Sequence, residues 1–249
     1  MQSKVIIHHH LGLGDHIMMN GCVRHLYEDY PQSEILLIVK QIHYNNVSYM
    51  YRDLDRLTPV AIPAVNEELE VHNVCQQHQG ANVISIGFGA FHALMQQFPD
   101  SGCDELFYKQ LEMPYEYRWD KHYFERDINE EGLAFDKINP TKEPYIFVHD
   151  DPLRGFNLNV NSSYKIIRND PTIGIFHLFK ILSEAEEIHI MESSIRCLIE
   201  DPRLVLKSNP NYYDIRGHLW LKPHTTRWDW NIIRGNERWS IDSVKNSIQ

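Results

Sequence analysis

Runs of β-branched and aliphatic residues alternate with helix-like runs along most of this chain, and that alternation constrains the fold more than any other feature. Lys4 to His10 reads as a strand and Asp15 to Tyr30 as a helix. Glu34 to Lys40 (EILLIVK) is a second strand, followed by a helical pattern from Ile42 to Leu54 and a short strand from Pro59 to Ile62. Glu67 to Gln79 is helical, and Ala81 to Gly87 (ANVISIG) is a further strand. This β-α-β-α order predicts a parallel sheet with helices on both faces. Strands that are apolar throughout fit burial on both sides.

Between Phe88 and Lys137 aromatics and charges mix without a clear period (Tyr115, Tyr117, Trp119, Tyr123, Phe124), and helices are expected. The segment INPTKEP, Ile138 to Pro144, is rich in breakers and is the expected linker. Alternation then resumes. Tyr145 to His149 and Tyr164 to Arg168 are strands, Ile173 to Ala185 is helical, Glu187 to Met191 is a strand and Ser194 to Glu200 a short helix. Leu204 to Lys207 and Tyr212 to Ile215 add two expected strands. The fold class expected is therefore α/β, with two Rossmann-like domains, 1–138 and 139–249, facing a central cleft.

Length and composition agree. A chain of 249 residues with 43% hydrophobic residues can fill one large core or two small ones. A formal net charge of −10 argues against nucleic acid as a partner, because affinity there comes mainly from neutralising phosphates. A local basic pocket for one phosphorylated small molecule remains compatible with it. No stretch of apolar residues is long enough to span a membrane, and Met1 to Ile7 lacks signal-peptide architecture. The four cysteines are scattered without a CxxC pair, which argues against a zinc knuckle or a disulfide framework and favours a reducing cytoplasm.

The strongest local motif is HLGLGDHIMMNG, His10 to Gly21. A strand runs into Gly12-x-Gly14 and a helix opens at Asp15. Glycines permit a sharp turn and the close approach of a ligand, and a helix start offers free N–H groups and the positive end of a dipole. Asp15 then has two readings: it caps the helix, or it projects into the cleft as a base. The motif is not the dinucleotide fingerprint, since Ile17 stands where the third glycine belongs, and no P-loop lysine follows.

The GLGD run after the first strand, with its apolar helix, resembles the N-terminal loop of heptosyltransferase-like glycosyltransferases of the GT-B fold. The resemblance implies that Asp15 matches the acid proposed in that family as catalytic base. GT-B fucosyltransferases carry a related loop, usually with Asn in place of this acid.

In the second half, the strand YIFVH ends in Asp150-Asp151-Pro152-Leu153-Arg154-Gly155. Ligands of open α/β sheets sit beyond the carboxyl ends of the strands, so Arg154 is placed to meet a diphosphate with its guanidinium. The alternative is a surface ion pair with Asp150 or Asp151. The strand EIHIM leads into Glu192-Ser193-Ser194 and a helix. Ser193 or Ser194 is the expected cap, and the same pair suits a phosphate seat. In heptosyltransferase-like proteins the equivalent turn usually reads Asp-Thr-Gly and helps bind the donor. This chain keeps an acid and small hydroxyls but lacks the glycine and the following His-Leu-Ala.

Other signals carry less. His8, His9 and His10 alternate between strand faces and cannot all bind one metal, although His10 lies beside the glycine loop and is expected to line the cleft. Asp53-Leu54-Asp55 spells DxD but lies on a helix end followed by Arg56, where a solvated surface is expected. The tail Lys222 to Arg227, with Trp228 and Trp230, is either part of a sugar site or a packed terminal segment.

The resemblance implies a cytoplasmic transferase of polysaccharide biosynthesis. It would move a sugar from a nucleoside-diphosphate sugar to a hydroxyl of a glycan or lipid-linked glycan. Asp15 would act as base, with Gly12, Gly14, His10, Arg154, Glu192, Ser193 and Ser194 binding substrate. Inversion at the anomeric carbon, no metal and no cofactor are expected, and the absence of a spanning segment leaves peripheral membrane contact open. The alternatives are a nucleotide-sugar epimerase of the same fold and a non-catalytic nucleotide-sugar-binding protein.

Overall fold

The computed structural model describes residues 3–152, 155–215, 226–234 and 239–241. The chain divides into two compact units, Met1–Glu125 and Arg126–Gln249.

The first unit runs β1 (Ser3–His8), α1 (Leu13–Met18), α2 (Asn20–Asp29), β2 (Ser33–Lys40), α3 (Tyr44–Met50), β3 (Leu57–Ile62), α4 (Glu67–Gln77), β4 (Asn82–Ser85), α5 (Phe91–Gln97), α6 (Cys103–Gln110) and α7 (Tyr117–Asp120). Its four strands lie in the order β3-β2-β1-β4, every pair parallel. The register sets Val5 beside Ile35 and Ile7 beside Leu37. From Ile35 to Val39 every residue of β2 is buried, the pattern of a strand covered on both faces. One face packs Ile6, Leu36, Ile38, Ile62 and Val74 together with Leu11 from the loop after β1.

The single helix expected from Asp15 to Tyr30 is two, because the chain turns at Met19 between α1 and α2. Gly21 in α2 is a packing residue: a Cβ there would fall 2.0 Å from the carbonyl oxygen of Tyr117, so α7 approaches only because glycine has none. The mixed aromatic segment is helical as expected. Its core is a buried ion pair of Asp104 with Arg118, to which the Tyr115 hydroxyl adds a 2.7 Å bond to Asp104.

The second unit runs α8 (Ile128–Ile138), β5 (Tyr145–His149), β6 (Phe156–Leu158), β7 (Lys165–Arg168), α9 (Phe179–Glu184), β8 (Glu187–Met191), α10 (Ser194–Ile199), β9 (Asn211–Tyr213), β10 (Asn231–Ile233) and β11 (Trp239–Ile241). Five parallel strands lie in the order β10-β9-β8-β5-β7, and β11 pairs antiparallel with β6 apart from them. Ile146, Val148, Met191, Tyr213 and Ile215 form its core with Leu158.

Helix α8 belongs to this unit. Asp127 caps it by accepting from the backbone N–H groups of Asn129 and Glu130 at 3.1 and 3.0 Å. Phe135 of α8 meets Tyr145 of β5, and Lys137 pairs with Asp170 at 2.7 Å. The breaker-rich segment 138–144 therefore joins α8 to β5 within one unit, and the units divide at Glu125/Arg126. The strand expected from Leu204 to Lys207 is irregular chain: Leu204 is buried, Val205 is 72% exposed, and neither has a ladder partner among the described residues.

Candidate functional site

Each of the two parallel sheets changes its direction of winding once, and the glycine loop and the Glu192-Ser193-Ser194 turn lie at those two places. In the first unit the chain passes from β3 at one edge to β4 on the far side of β1, so the carboxyl ends of β1 and β4 flank the switch point. Ligands of open α/β sheets bind at such crevices. From β1 come His9, His10 and the glycine loop; from β4 come Ile86-Gly87-Phe88-Gly89. In the second unit β7 and β8 lie on opposite sides of β5, with His149 beside Ile190. Asp150-Asp151 and Glu192-Ser193-Ser194 therefore leave adjacent strand ends. Arg154 lies outside the described residues.

Helix α1 opens at Leu13 rather than at Asp15. Gly12 is its N-cap, at φ −72° and ψ 146°, and Asp15 is an acid of its first turn. The turn is closed by His16 N–H bonding to Gly12 O at 3.1 Å and Met19 N–H to Asp15 O at 2.8 Å. An acid here lies in the favourable field of the helix start. Its carboxylate folds back over Gly12, where a Cβ would fall 2.6 Å from Asp15 Oδ2. Gly12 thus gives the acid its position. Asp15 and Gly14 are both half-buried.

His10 is held by packing. Its Nε2 donates to the carbonyl of Gly87 at 3.1 Å, which fixes the tautomer, since a carbonyl oxygen only accepts. Its ring meets those of Phe88, Phe91 and Phe107 at 5.3, 5.8 and 5.1 Å. Below the loop His9 and His16 are fully buried with ring centroids 4.3 Å apart. His9 Nδ1 donates to the carbonyl of His10. Burial pulls His9 down to about 4 and His16 well below its ordinary value, the neighbouring histidines adding to both. Both are neutral fillers of the core.

In the second unit Ser193 caps α10, its Oγ accepting from Arg196 N–H at 3.4 Å. Glu192 is only 9% exposed. The Tyr212 hydroxyl lies against it and is pushed up by burial and by this carboxylate. Ser194 is half-buried at the start of α10. Asp150 is taken by Arg168, whose guanidinium also donates to the Leu158 carbonyl at 3.2 Å, while Leu158 N–H donates to Asp150 Oδ2 at 3.1 Å.

The DxD run is engaged elsewhere, by contacts its helix-end pattern did not show. Arg24 grips Asp53 through Nη1 at 2.9 Å and Nη2 at 2.8 Å, and the Tyr27 hydroxyl donates to Asp55. Among the described residues no group of three or more His, Cys, Asp or Glu side chains is disposed to hold a metal ion. Arg227, Trp228 and Trp230 of the tail pack onto the end of α10: Trp230 Nε1 donates to Glu200 at 3.0 Å, Trp228 Nε1 to the Ile199 carbonyl at 2.9 Å and Arg227 N–H to Glu200 at 2.8 Å, while Thr226 bonds back to the Trp228 carbonyl. Lys222 to Thr225 lie outside the described residues.

Two features of the strand ends were missed in the sequence. Gly87 and Gly89 both take positive φ, 83° and 62°, and hold Phe88 39% exposed between them. The available signal was the pair of glycines one residue apart directly after a strand, the pattern that drew attention to Gly12 and Gly14. Arg168 was readable only as the last residue of a strand.

No family model matches the chain, and no curated protein matches it. Among solved structures it is similar to a family 9 glycosyl transferase from Veillonella parvula DSM 2008, with a TM-score of 0.58 and 10% identity over 94% of this chain and 87% of that one. It is also similar to the ADP-heptose LPS heptosyltransferase II of E. coli, with a TM-score of 0.48 and 10% identity over 94% and 90% of the two chains. At this identity the likeness is one of fold, and the chain shares its mixed α/β fold, built on parallel sheets, with the family 9 glycosyl transferase.

Proposed function

We propose that this protein transfers a sugar from a nucleoside-diphosphate sugar to a hydroxyl of a glycan. The observation that carries the reading is the placement of Asp15: a half-buried carboxylate in the first turn of α1, folded over Gly12 at the carboxyl end of β1. A carboxylate at a sheet's switch point is suited to take a proton from a bound hydroxyl. The fold likeness to a glycosyl transferase supports it.

In this reading the first unit serves the acceptor and the second the donor. The acceptor oxygen attacks the anomeric carbon as its proton passes to Asp15. The bond from that carbon to the diphosphate oxygen breaks, and the electron pair leaves with the diphosphate. Attack opposite the leaving group inverts the anomeric configuration. Arg154 and the start of α10 at Ser193 and Ser194 answer the charge that develops on the diphosphate, and Glu192 binds the donor through the donor's hydroxyls. That scheme calls on no divalent ion. His10, Gly12 and Gly14 shape the acceptor side. A cytoplasmic setting fits four cysteines of which none is in a disulfide. No described helix is long and apolar enough to cross a membrane.

The test is a thermal-shift screen across nucleoside diphosphates, since a ligand that binds only the native state raises its apparent stability. Product analysis follows, with donor sugars and mixed glycan acceptors, for the parent and Asp15→Asn. Transfer by the parent, with loss in Asp15→Asn at unchanged nucleotide shift, is expected. Isomerised donor without an acceptor indicates an epimerase, and binding without turnover indicates a binding protein.

A further inference from the structure

A cleft of about 740 Å³ opens at the carboxyl edge of the first sheet, lined by His8, Asn66, Glu67, Glu68, Leu69 and Phe88 among others. Its size falls within the roughly 300–1,000 Å³ of small-molecule sites. Three strand ends supply it: His8 closes β1, the Asn66 to Leu69 segment follows β3 and opens α4, and Phe88 follows β4. The whole cleft lies within the first unit.

One wall is flat and apolar. The Phe88 ring stacks on the His8 imidazole with centroids 4.5 Å apart and planes 13° from parallel. Positive φ at Gly87 and Gly89 turns the chain on either side of Phe88. Such a conformation costs any other residue strain, so this loop is shaped to carry its aromatic outward. Leu69 adds an apolar surface that is 54% exposed.

The other wall is acidic. Asn66 takes the left-handed conformation at φ 56° and turns the chain into α4, whose first turn carries Glu67 and Glu68. Glu67 is neutralised by Lys40 at 2.6 Å. Among the described residues Glu68 has no ion pair or hydrogen bond. Burial first, and then the neighbouring His10, lower His8 from its ordinary value against the pull of Glu67, so His8 supplies little cationic charge near neutrality. Among the described residues the cleft therefore carries one uncompensated negative charge, on Glu68.

We propose that this cleft binds the acceptor as a saccharide that is uncharged or carries a free amino group, and rejects phosphorylated or acidic sugars. The inference rests on the reading above that the first unit serves the acceptor. The C–H groups on one face of a pyranose ring pack against an aromatic surface. Glu68 accepts from ring hydroxyls, and an ammonium group gains from both Glu68 and the Phe88 face. A phosphate or carboxylate would be brought beside Glu68 without a cation to meet it.

The probes are methyl glucosaminide, methyl glucoside, methyl glucuronide and glucose 6-phosphate, titrated against the full chain by ligand-observed NMR. The amine and the neutral glycoside are expected to bind, and the two anions to bind at least about tenfold more weakly. Phe88→Ala is expected to weaken both binders about tenfold, while Glu68→Gln weakens the amine more than the neutral glycoside. Melting curves confirm that the variants fold; if Phe88→Ala does not, Phe88→Leu, which keeps bulk but loses the ring face, replaces it. Equal binding of the anions, no binding by any probe, or full binding by the folded Phe88 variant overturns the proposal. Nucleotide binding and donor turnover are measured on the same samples. Saccharide binding without donor turnover counts against the transferase reading alone, and turnover without saccharide binding counts against the cleft alone.

Discussion

The carboxylate of Asp15 occupies the space a side chain on Gly12 would need, 2.6 Å from the position of its Cβ. The glycine that caps the helix and the acid in its first turn are one unit. Gly12→Ala is expected to swing the carboxylate aside and lower kcat on the order of 10²-fold, the usual result of a misplaced catalytic group. Alanine is a poorer N-cap than glycine, so the melting temperature falls slightly. Asp15→Asn removes the proton acceptor and should cost roughly 10²–10⁴-fold. Steady-state kinetics on both variants checks this, and unaltered turnover in both would leave Asp15 with a helix-start role only.

Arg24 holds Asp53 with two contacts and also donates to the carbonyls of Tyr123 and Met50, at 2.7 and 3.4 Å. Arg24→Ala strands these acceptors and is expected to cost on the order of 3 kcal/mol, read from urea unfolding. With Asp53 so committed, sugar transfer should survive excess EDTA. Complete loss on chelation, restored by magnesium or manganese, would instead point to Asp53, Asp55 or the Asp150-Asp151 pair.

His9 and His16 make stability fall in acid. Their pKa values lie below those of the unfolded chain, His9 at about 4 and His16 well under its ordinary 6.5. Above pH 6.5 they are neutral in both states, so they add no pH dependence there. As pH drops below 6.5 the unfolded chain takes up protons that the folded one refuses. For His9 the loss grows to on the order of 3 kcal/mol by about pH 4. Among the described residues neither ring nitrogen of His16 has a hydrogen-bond partner, so His16→Phe should fold and flatten the acid limb of a stability-against-pH curve. An unchanged limb would assign it to other groups.

Ser193 accepts one long bond from Arg196 N–H, so Ser193→Ala should cost about 0.5–1 kcal/mol of stability. Ser194 caps nothing, and Ser194→Ala should leave the melting temperature alone. If the turn seats a diphosphate, both variants weaken nucleotide binding in calorimetry. A loss of stability alone, with normal nucleotide affinity, would reduce Ser193 to a cap.

The strands β5 and β8 and the start of α10 were legible residue by residue, because a short apolar run between turn residues is a local signal. So was the class of fold, because alternating elements must form a parallel sheet whose helices cover both faces. Where a signal depended on a distant partner, the sequence was silent or misleading. Leu204 to Lys207 has the composition of a strand, but a strand exists only where a neighbour completes its ladder. One helical run broke at Met19, and α8 packed with the second unit, because burial against other elements outweighs local propensity. Strand order was the largest such decision. Pairing β1 with both β2 and β4, and β5 with both β7 and β8, put the glycine loop and the Glu192-Ser193-Ser194 turn at switch points. The same pairing brought Phe88 onto His8 across 80 residues of chain, in a contact that no periodicity encodes.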